Sequence, residues 1–275
     1  MSYINRVAVT DKIDHLNEAM LIHPTAIIDP LVELGVGVKI GAYSIIEGKV
    51  TIGANTTIGH HVCIKGPTTI GENNTIHSFA SIGCDPQDKK YDGEETYLVI
   101  GNNNSIREYV TISRGTSQGG YFTKIGDHNL LMAYVHVAHD CIIGHQNVLA
   151  NGASLAGHVE VGNYVGMGGF SGVHQFTKIG SFSFCAGGSI VTKDVPPFTL
   201  ISGHPAKLIG LNLEGMKRRN FSDDDRVILK SLYKKLFRDS LNIIDDARTC
   251  LESEPNEYAK ILLNFILNSQ RGLTR

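Results

Sequence analysis

Four histidines, His136, His139, His158 and His174, fall within one stretch of the chain, and the run VHVAHDC places Asp140 directly after His139. An imidazole accepts and returns a proton near neutral pH, and a neighbouring carboxylate can orient the ring and stabilise its charged form. Neighbours in a strand point to opposite faces, a restriction that a chain corner relaxes. Histidine clusters also hold zinc, so residue types alone leave a metal site open. Covalent catalysis has little footing: there is no G-x-S-x-G, and Cys141 has the character of a small apolar filler.

The elements that must position these groups are read from an apolar residue at every sixth position. The set is Ile125, Leu131, Val137, Ile143, Leu149, Leu155, Val161, Met167, Val173, Ile179, Cys185 and Val191. The same period runs from Ile22 to Ile82, pauses over 83–99, returns at Ile100, Ile106 and Ile112, and pauses again over 113–124. A helix repeats at 3.6 and a flat strand at 2, so a period of six predicts short strands separated by regular corners. From 82 to 100 is three periods and from 112 to 125 is thirteen residues, so only the second pause shifts the phase. Both pauses read as loops thrown out from a continuous coil, where functional groups concentrate.

After Val191 the pattern changes. Pro196, Pro197 and Pro205 break the repeat, and Ser222 is a fair N-cap for a helix over Asp223–Arg238 with Val227, Ile228, Leu232, Tyr233 and Leu236 on one face. Further helices are expected at Ile243–Leu251 and Asn256–Asn268. The expected division is an N-terminal extension over 1–20, a coil over 21–210 and a helical domain over 211–275.

Thirty glycines in 275 residues, with no Trp, suit many tight turns between short aliphatic segments. A net charge of -2 gives no general attraction to nucleic acid or an anionic membrane. Five scattered cysteines without a C-x-x-C pair argue against a disulfide framework and fit a reducing compartment. With no apolar run of spanning length and no signal-peptide core, the expectation is a cytoplasmic protein without a membrane span.

The hexapeptide pattern resembles that of the hexapeptide-repeat acyltransferases, which wind three six-residue sides into each coil. That resemblance implies an all-β left-handed parallel β-helix of about nine coils with a small C-terminal α-helical domain. Eighteen residues per coil would then stack His139, Gly157 and Gln175 in one outward column, with His158 and His174 one residue off it and His136 near the same corner. The blocks HPTAIIDP, CDPQDKKY, ISRGTSQGG, TKIGDHNLLMAYVHVAHDC, LANGASLAGHV, VHQF, DVPPF, GLNLEGMKRRNFS and RGLTR are more specific. Together they resemble the UDP-N-acetylglucosamine O-acyltransferase family of lipid A biosynthesis over about Ile22–Arg275, departing in the N-terminal segment and at residues such as Tyr134.

The resemblance implies transfer of an R-3-hydroxyacyl group from acyl carrier protein to the 3-hydroxyl of UDP-N-acetylglucosamine by a homotrimer. No metal is implied, nor any cofactor beyond the carrier's phosphopantetheine. His139 is then the general base, Asp140 orients it, and the Gly157 N–H meets the oxyanion. Gln87, Asp88, Lys90, His136, His158, His174 and Gln175 line the sugar, acyl and phosphate sites. Asn212, Glu214 and Arg219 hold the UDP from a neighbouring subunit, and Lys217–Arg219 form a local basic patch. Gly187 marks the far end of the acyl groove, and its missing side chain implies burial of a long chain of about fourteen carbons. Competing readings are the N-acyltransferase of the same pathway, whose longer chains carry a domain ahead of the coil, a metal-dependent hydratase with a β-helix, and a non-catalytic scaffold.

Overall fold

A computed structural model describes residues 21–275, so the expected extension over 1–20 lies outside the described residues. The chain forms two compact units, one ending at Tyr134 and including Ala138–Asp140, the other made of Val135–Val137 and Cys141–Arg275. Both are parallel β-solenoid whose coil strands run to two to four residues, and the second also carries two longer strands at its end and the α-helices.

In the first unit the register steps by eighteen. Ile22, Ile40, Ile58 and Ile76 form one column. Ile28, Ile46, Ile64 and Ile82 form a second, and Leu34, Ile52 and Ile70 a third. Three parallel sheets, each receiving one strand per coil, follow from this spacing. The anchors point inward, with Ile40, Ile46 and Ile52 at most 2% exposed, and each buried aliphatic side chain contributes about 1.5–3 kcal/mol.

Glycine does less of the turning than composition suggests. The left-handed φ falls on Tyr43, Asn55, His61, Asn73, Phe79 and their counterparts. Tyr43, His61, Phe79, Tyr109 and Tyr134 stack into a ladder with neighbouring rings 4.9–5.1 Å apart, which offsets part of the backbone cost. Glycine is instead required where coils approach closely: a Cβ on Gly41 would stand 2.5 Å from the Gly59 carbonyl oxygen.

The two pauses are excursions from this register. Ile70 pairs with Ile100 and Ile76 with Ile106, thirty residues on instead of eighteen, so twelve residues leave the coil between Ser81–Cys84 and Tyr97–Ile100. Ile100 then pairs with Ile125 and Ile106 with Leu131, a step of twenty-five that accommodates a seven-residue excursion after Thr111–Ser113. The buried amides of Asn74, Asn104 and Asn129 carry a hydrogen-bond ladder past both: Asn104 Nδ2 donates to Asn74 Oδ1 and Asn129 Nδ2 to Asn104 Oδ1, each at 3.0 Å.

In the second unit the step of eighteen returns. Its columns are Val137, Leu155, Val173 and Val191; Ile143, Val161 and Ile179; and Leu149, Met167 and Cys185. Thr199–Gly203 pairs with the last of these sheets and folds back antiparallel onto Ala206–Leu211, so the sheet changes direction before the helices begin. Those are α1, Leu213–Arg218; α2, Asp223–Lys234; α3, Ile243–Leu251; and α4, Glu257–Leu267. Asn212, Ser222, Asn242 and Asn256 cap their N-termini, each accepting a backbone N–H from the first turn. Their shared core includes Phe198, Met216, Phe221, Leu229 and Leu263.

Candidate active site

Asp140 occupies a corner with φ 60°, its side chain fully buried, while the adjacent His139 side chain keeps 13% exposure. The backbone N–H of Asp140 donates to Thr123 Oγ1 at 2.8 Å, which fixes the corner. Its carboxylate accepts from the Thr116 N–H on Oδ1, and from the Thr116 hydroxyl and His139 Nδ1 on Oδ2, each at 2.7 Å. An ionised carboxylate only accepts, so the ring proton sits on Nδ1 and Nε2 presents a lone pair. That is the tautomer a general base requires.

Gln87, Asp88 and Lys90 all lie in the twelve-residue excursion, Gln87 and Lys90 exposed and Asp88 half-buried. Asp88 Oδ1 accepts the Lys90 N–H at 3.0 Å and so shapes its own loop. Arg114, almost wholly buried, anchors the excursion from beneath by donating to the Gly83 carbonyl, to Asp85 Oδ1 and to the Tyr91 hydroxyl. Glu94 ties it to the second excursion: one oxygen accepts the Ser117 N–H and hydroxyl, the other the Asp92 N–H. These backbone donors, from Ser117 first, hold the Glu94 carboxyl down at about 2.

In the second unit, His136 lies on the strand His136–Val137, in register with Ser154. Gly157 is buried, and its carbonyl accepts the Phe176 N–H at 3.2 Å. His158 stacks on Phe176 with ring centroids 4.3 Å apart. His174 and Gln175 are exposed, and His174 Nδ1 faces two partners that demand opposite tautomers. Arg271 Nη2, a donor, lies at 3.3 Å and the Gln175 carbonyl, an acceptor, at 3.2 Å.

Arg271 was not among the expected site residues, and its only signal was its place in the block RGLTR. It reaches His174 because buried Asp194 fastens the C-terminal segment. The Asp194 carboxylate accepts from Ser269 Oγ, while its backbone N–H donates to the Gly272 carbonyl and its own carbonyl accepts the Thr274 N–H.

Asn212, Glu214 and Arg219 share a cleft of about 630 Å³ with Gln146, Tyr164 and Phe184. Asn212 uses its side chain to cap α1 and to donate to the Phe182 carbonyl at 2.9 Å. The Arg219 guanidinium lies 4.6 Å above the Tyr164 ring and donates to Gln146 Oε1, whereas Glu214 pairs with Arg218. Gln146 and Tyr164 were missed because single polar and aromatic residues at corners of a repeat look alike in sequence. Gly187 follows the strand Phe184–Cys185 and is exposed; the left-handed position of its turn is Gly188, with φ 68°. A Cβ on Gly187 would meet only the Gly169 carbonyl oxygen at 3.4 Å and its nitrogen at 3.8 Å, so the turn does not require glycine there.

Comparisons with known proteins bear on the chain as a whole. The family described as UDP N-acetylglucosamine O-acyltransferase, domain 2, matches residues 194–274, and the bacterial transferase hexapeptide family matches 31–66, 49–84 and 122–157. An acyl-[acyl-carrier-protein]–UDP-N-acetylglucosamine O-acyltransferase of Nautilia profundicola is 52% identical over 198 residues, covering 72% of this chain and 76% of that one. The crystal structure of UDP-N-acetylglucosamine O-acyltransferase from Moraxella catarrhalis superposes with a TM-score of 0.90 at 47% identity, over 93% of this chain and all of that one. An Acinetobacter baumannii structure gives 0.88 at 48%, again over 93% and 100%. With its hexapeptide coils, its capped C-terminal helices and this degree of identity, the chain belongs to the UDP-N-acetylglucosamine O-acyltransferase family.

Proposed function

We propose that the protein transfers an R-3-hydroxyacyl group from the thioester of acyl carrier protein to the 3-hydroxyl of UDP-N-acetylglucosamine. The observation that carries this reading is the His139–Asp140 pair, with Nδ1 bonded to the carboxylate at 2.7 Å, in a member of this family. His139 Nε2 takes the hydroxyl proton as the sugar oxygen attacks the thioester carbonyl. Asp140 stabilises the imidazolium so formed, and the Gly157 N–H receives the oxyanion. Collapse of the tetrahedral intermediate breaks the C–S bond, and the proton on His139 passes to the departing thiolate.

The cleft beside α1 suits a nucleotide: Tyr164 and Phe184 offer ring faces, and Arg219 offers a cation held in place by Gln146. Glu214 and Asn212 complete that wall, and in a homotrimer it would serve a neighbouring subunit's site. Gln87, Asp88, Lys90, His136, His158, His174 and Gln175 take the sugar, phosphate and acyl contacts, and Gly187 stands at the far end of the acyl groove. No metal or bound cofactor enters the reaction. No helix among the described residues is long and apolar enough to cross a membrane, and a cytoplasmic setting completes the proposal.

The test is incubation with UDP-N-acetylglucosamine and a panel of hydroxyacyl carrier proteins, with mass spectrometry of the product. A 3-O-acylated sugar nucleotide is expected, and His139→Ala should lower turnover by about 10²–10⁴ with the fold intact. Near-normal turnover by a folded His139→Ala protein removes the base assignment, and product only from a sugar bearing a free amine points to the N-acyltransferase.

A further inference from the structure

Thr116 belongs to the second excursion, not to the coil, yet it is 4% exposed and gives both of its hydrogen-bond donors to one carboxylate. Its N–H meets Asp140 Oδ1 and its hydroxyl meets Oδ2, each at 2.7 Å, so the carboxylate plane is fixed at both ends. Oδ2 is also the oxygen that receives His139 Nδ1. Thr116 further caps the short 3-10 turn Ser117–Gly119, its Oγ1 accepting the Gly119 N–H at 3.2 Å, which leaves the hydroxyl proton for Asp140. Gly119 is the residue this geometry requires, because a Cβ there would overlap the Asp140 carboxylate carbon.

Resting on the reading of His139 as the base, we infer that Thr116 is a positioning residue for the reaction, acting through Asp140. Its two donors hold the carboxylate in the one orientation that directs Oδ2 at Nδ1. The imidazole therefore meets the sugar hydroxyl with Nε2 already aligned, and the imidazolium forms against a fixed negative charge. A hydrogen bond to an ionised group is strong, and its loss loosens Oδ2 while the Thr116 N–H still holds Oδ1.

The experiment measures kcat and KM for UDP-N-acetylglucosamine in Thr116→Val, Thr116→Ser, Asp140→Asn and the double variant Thr116→Val/Asp140→Asn, beside His139→Ala. Thr116→Val keeps the shape and the N–H but removes the hydroxyl. It should lower kcat roughly tenfold to a hundredfold with KM within about twofold of the parent, and Thr116→Ser should recover most of the loss. In the Asp140→Asn background the Thr116→Val change should cost little more, because the two residues act as one unit. Should Thr116→Val fail to fold, Gly119→Ala, which leaves Thr116 in place and displaces the carboxylate, is expected to show the same loss confined to kcat.

Full kcat in a folded Thr116→Val protein overturns the inference, as does a loss that is equally large with and without Asp140. A rise in KM alone overturns it too. An inactive His139→Ala beside a fully active Thr116→Val sinks this inference and spares the base. A fully active His139→Ala sinks the base itself.

Discussion

Asp140 reaches His139 because its backbone is left-handed, a conformation that costs an ordinary residue about 1–2 kcal/mol and that aspartate tolerates better than most. In a flat strand the side chains of 139 and 140 would point to opposite faces; at this corner they meet at 2.7 Å. The sequence displayed both residues and their adjacency but not the corner, since left-handed φ falls here on Tyr, Asn, His, Phe and Asp alike. Gly187 is the reverse case, a glycine whose type looks like a turn requirement and whose backbone does not need it. Gly187→Met should therefore leave thermal stability near that of the parent while shifting preference toward shorter hydroxyacyl donors. Each methylene excluded from the groove is worth ~0.8 kcal/mol of lost burial, or about fourfold in relative kcat/KM. Competition assays across donors of graded length check this, and unchanged selectivity removes Gly187 as the ruler.

At the scale of elements, the sixfold period made the coil legible because every anchor from Ile40 onward sits on a buried strand position and nothing else in the chain competes for it. The loops were only partly legible. An excursion of twelve residues equals two periods, so the spacing from Ile82 to Ile100 looks uninterrupted in phase although only one side of the coil separates them. The seven-residue excursion declares itself by a phase shift of one. What no period could show is that the two loops are laced together by Glu94 and Ser117, and the second of them to the His139–Asp140 pair through Thr116. Glu94 titrates at about 2, below the ordinary carboxylate value of 4.5. A depressed carboxylate stabilises the folded loop fully above that ordinary value, and the contribution is lost as pH falls toward 2. The Ser117 amide resonance should accordingly stay at its native position through pH 4 and move only near pH 2; a midpoint near 4.5 would show that the lacing is absent in solution.

For the whole molecule, a net charge of -2 spread over 275 residues supplies no long-range field of either sign, so attraction to an acidic carrier protein must be local. Lys217, Arg218 and Arg219 are the proposed local patch, at the end of α1 and just beyond, all three exposed. Their roles divide by what already holds them. Arg219 is held in the cleft beside α1 by Tyr164 and Gln146, whereas Arg218, on the wall of the same cleft, makes one exposed pair with Glu214, an interaction worth little in water. Lys217 and Arg218 are thus more available for steering than Arg219, and steering acts through the association rate and is screened by salt over about 10 Å at 0.1 M. Arg218→Glu should slow association with acyl carrier protein at low salt, flatten its salt dependence and leave kcat at saturating carrier unchanged. Stopped-flow association across an ionic-strength series measures this, and a salt dependence equal to the parent's would place carrier docking elsewhere on the molecule.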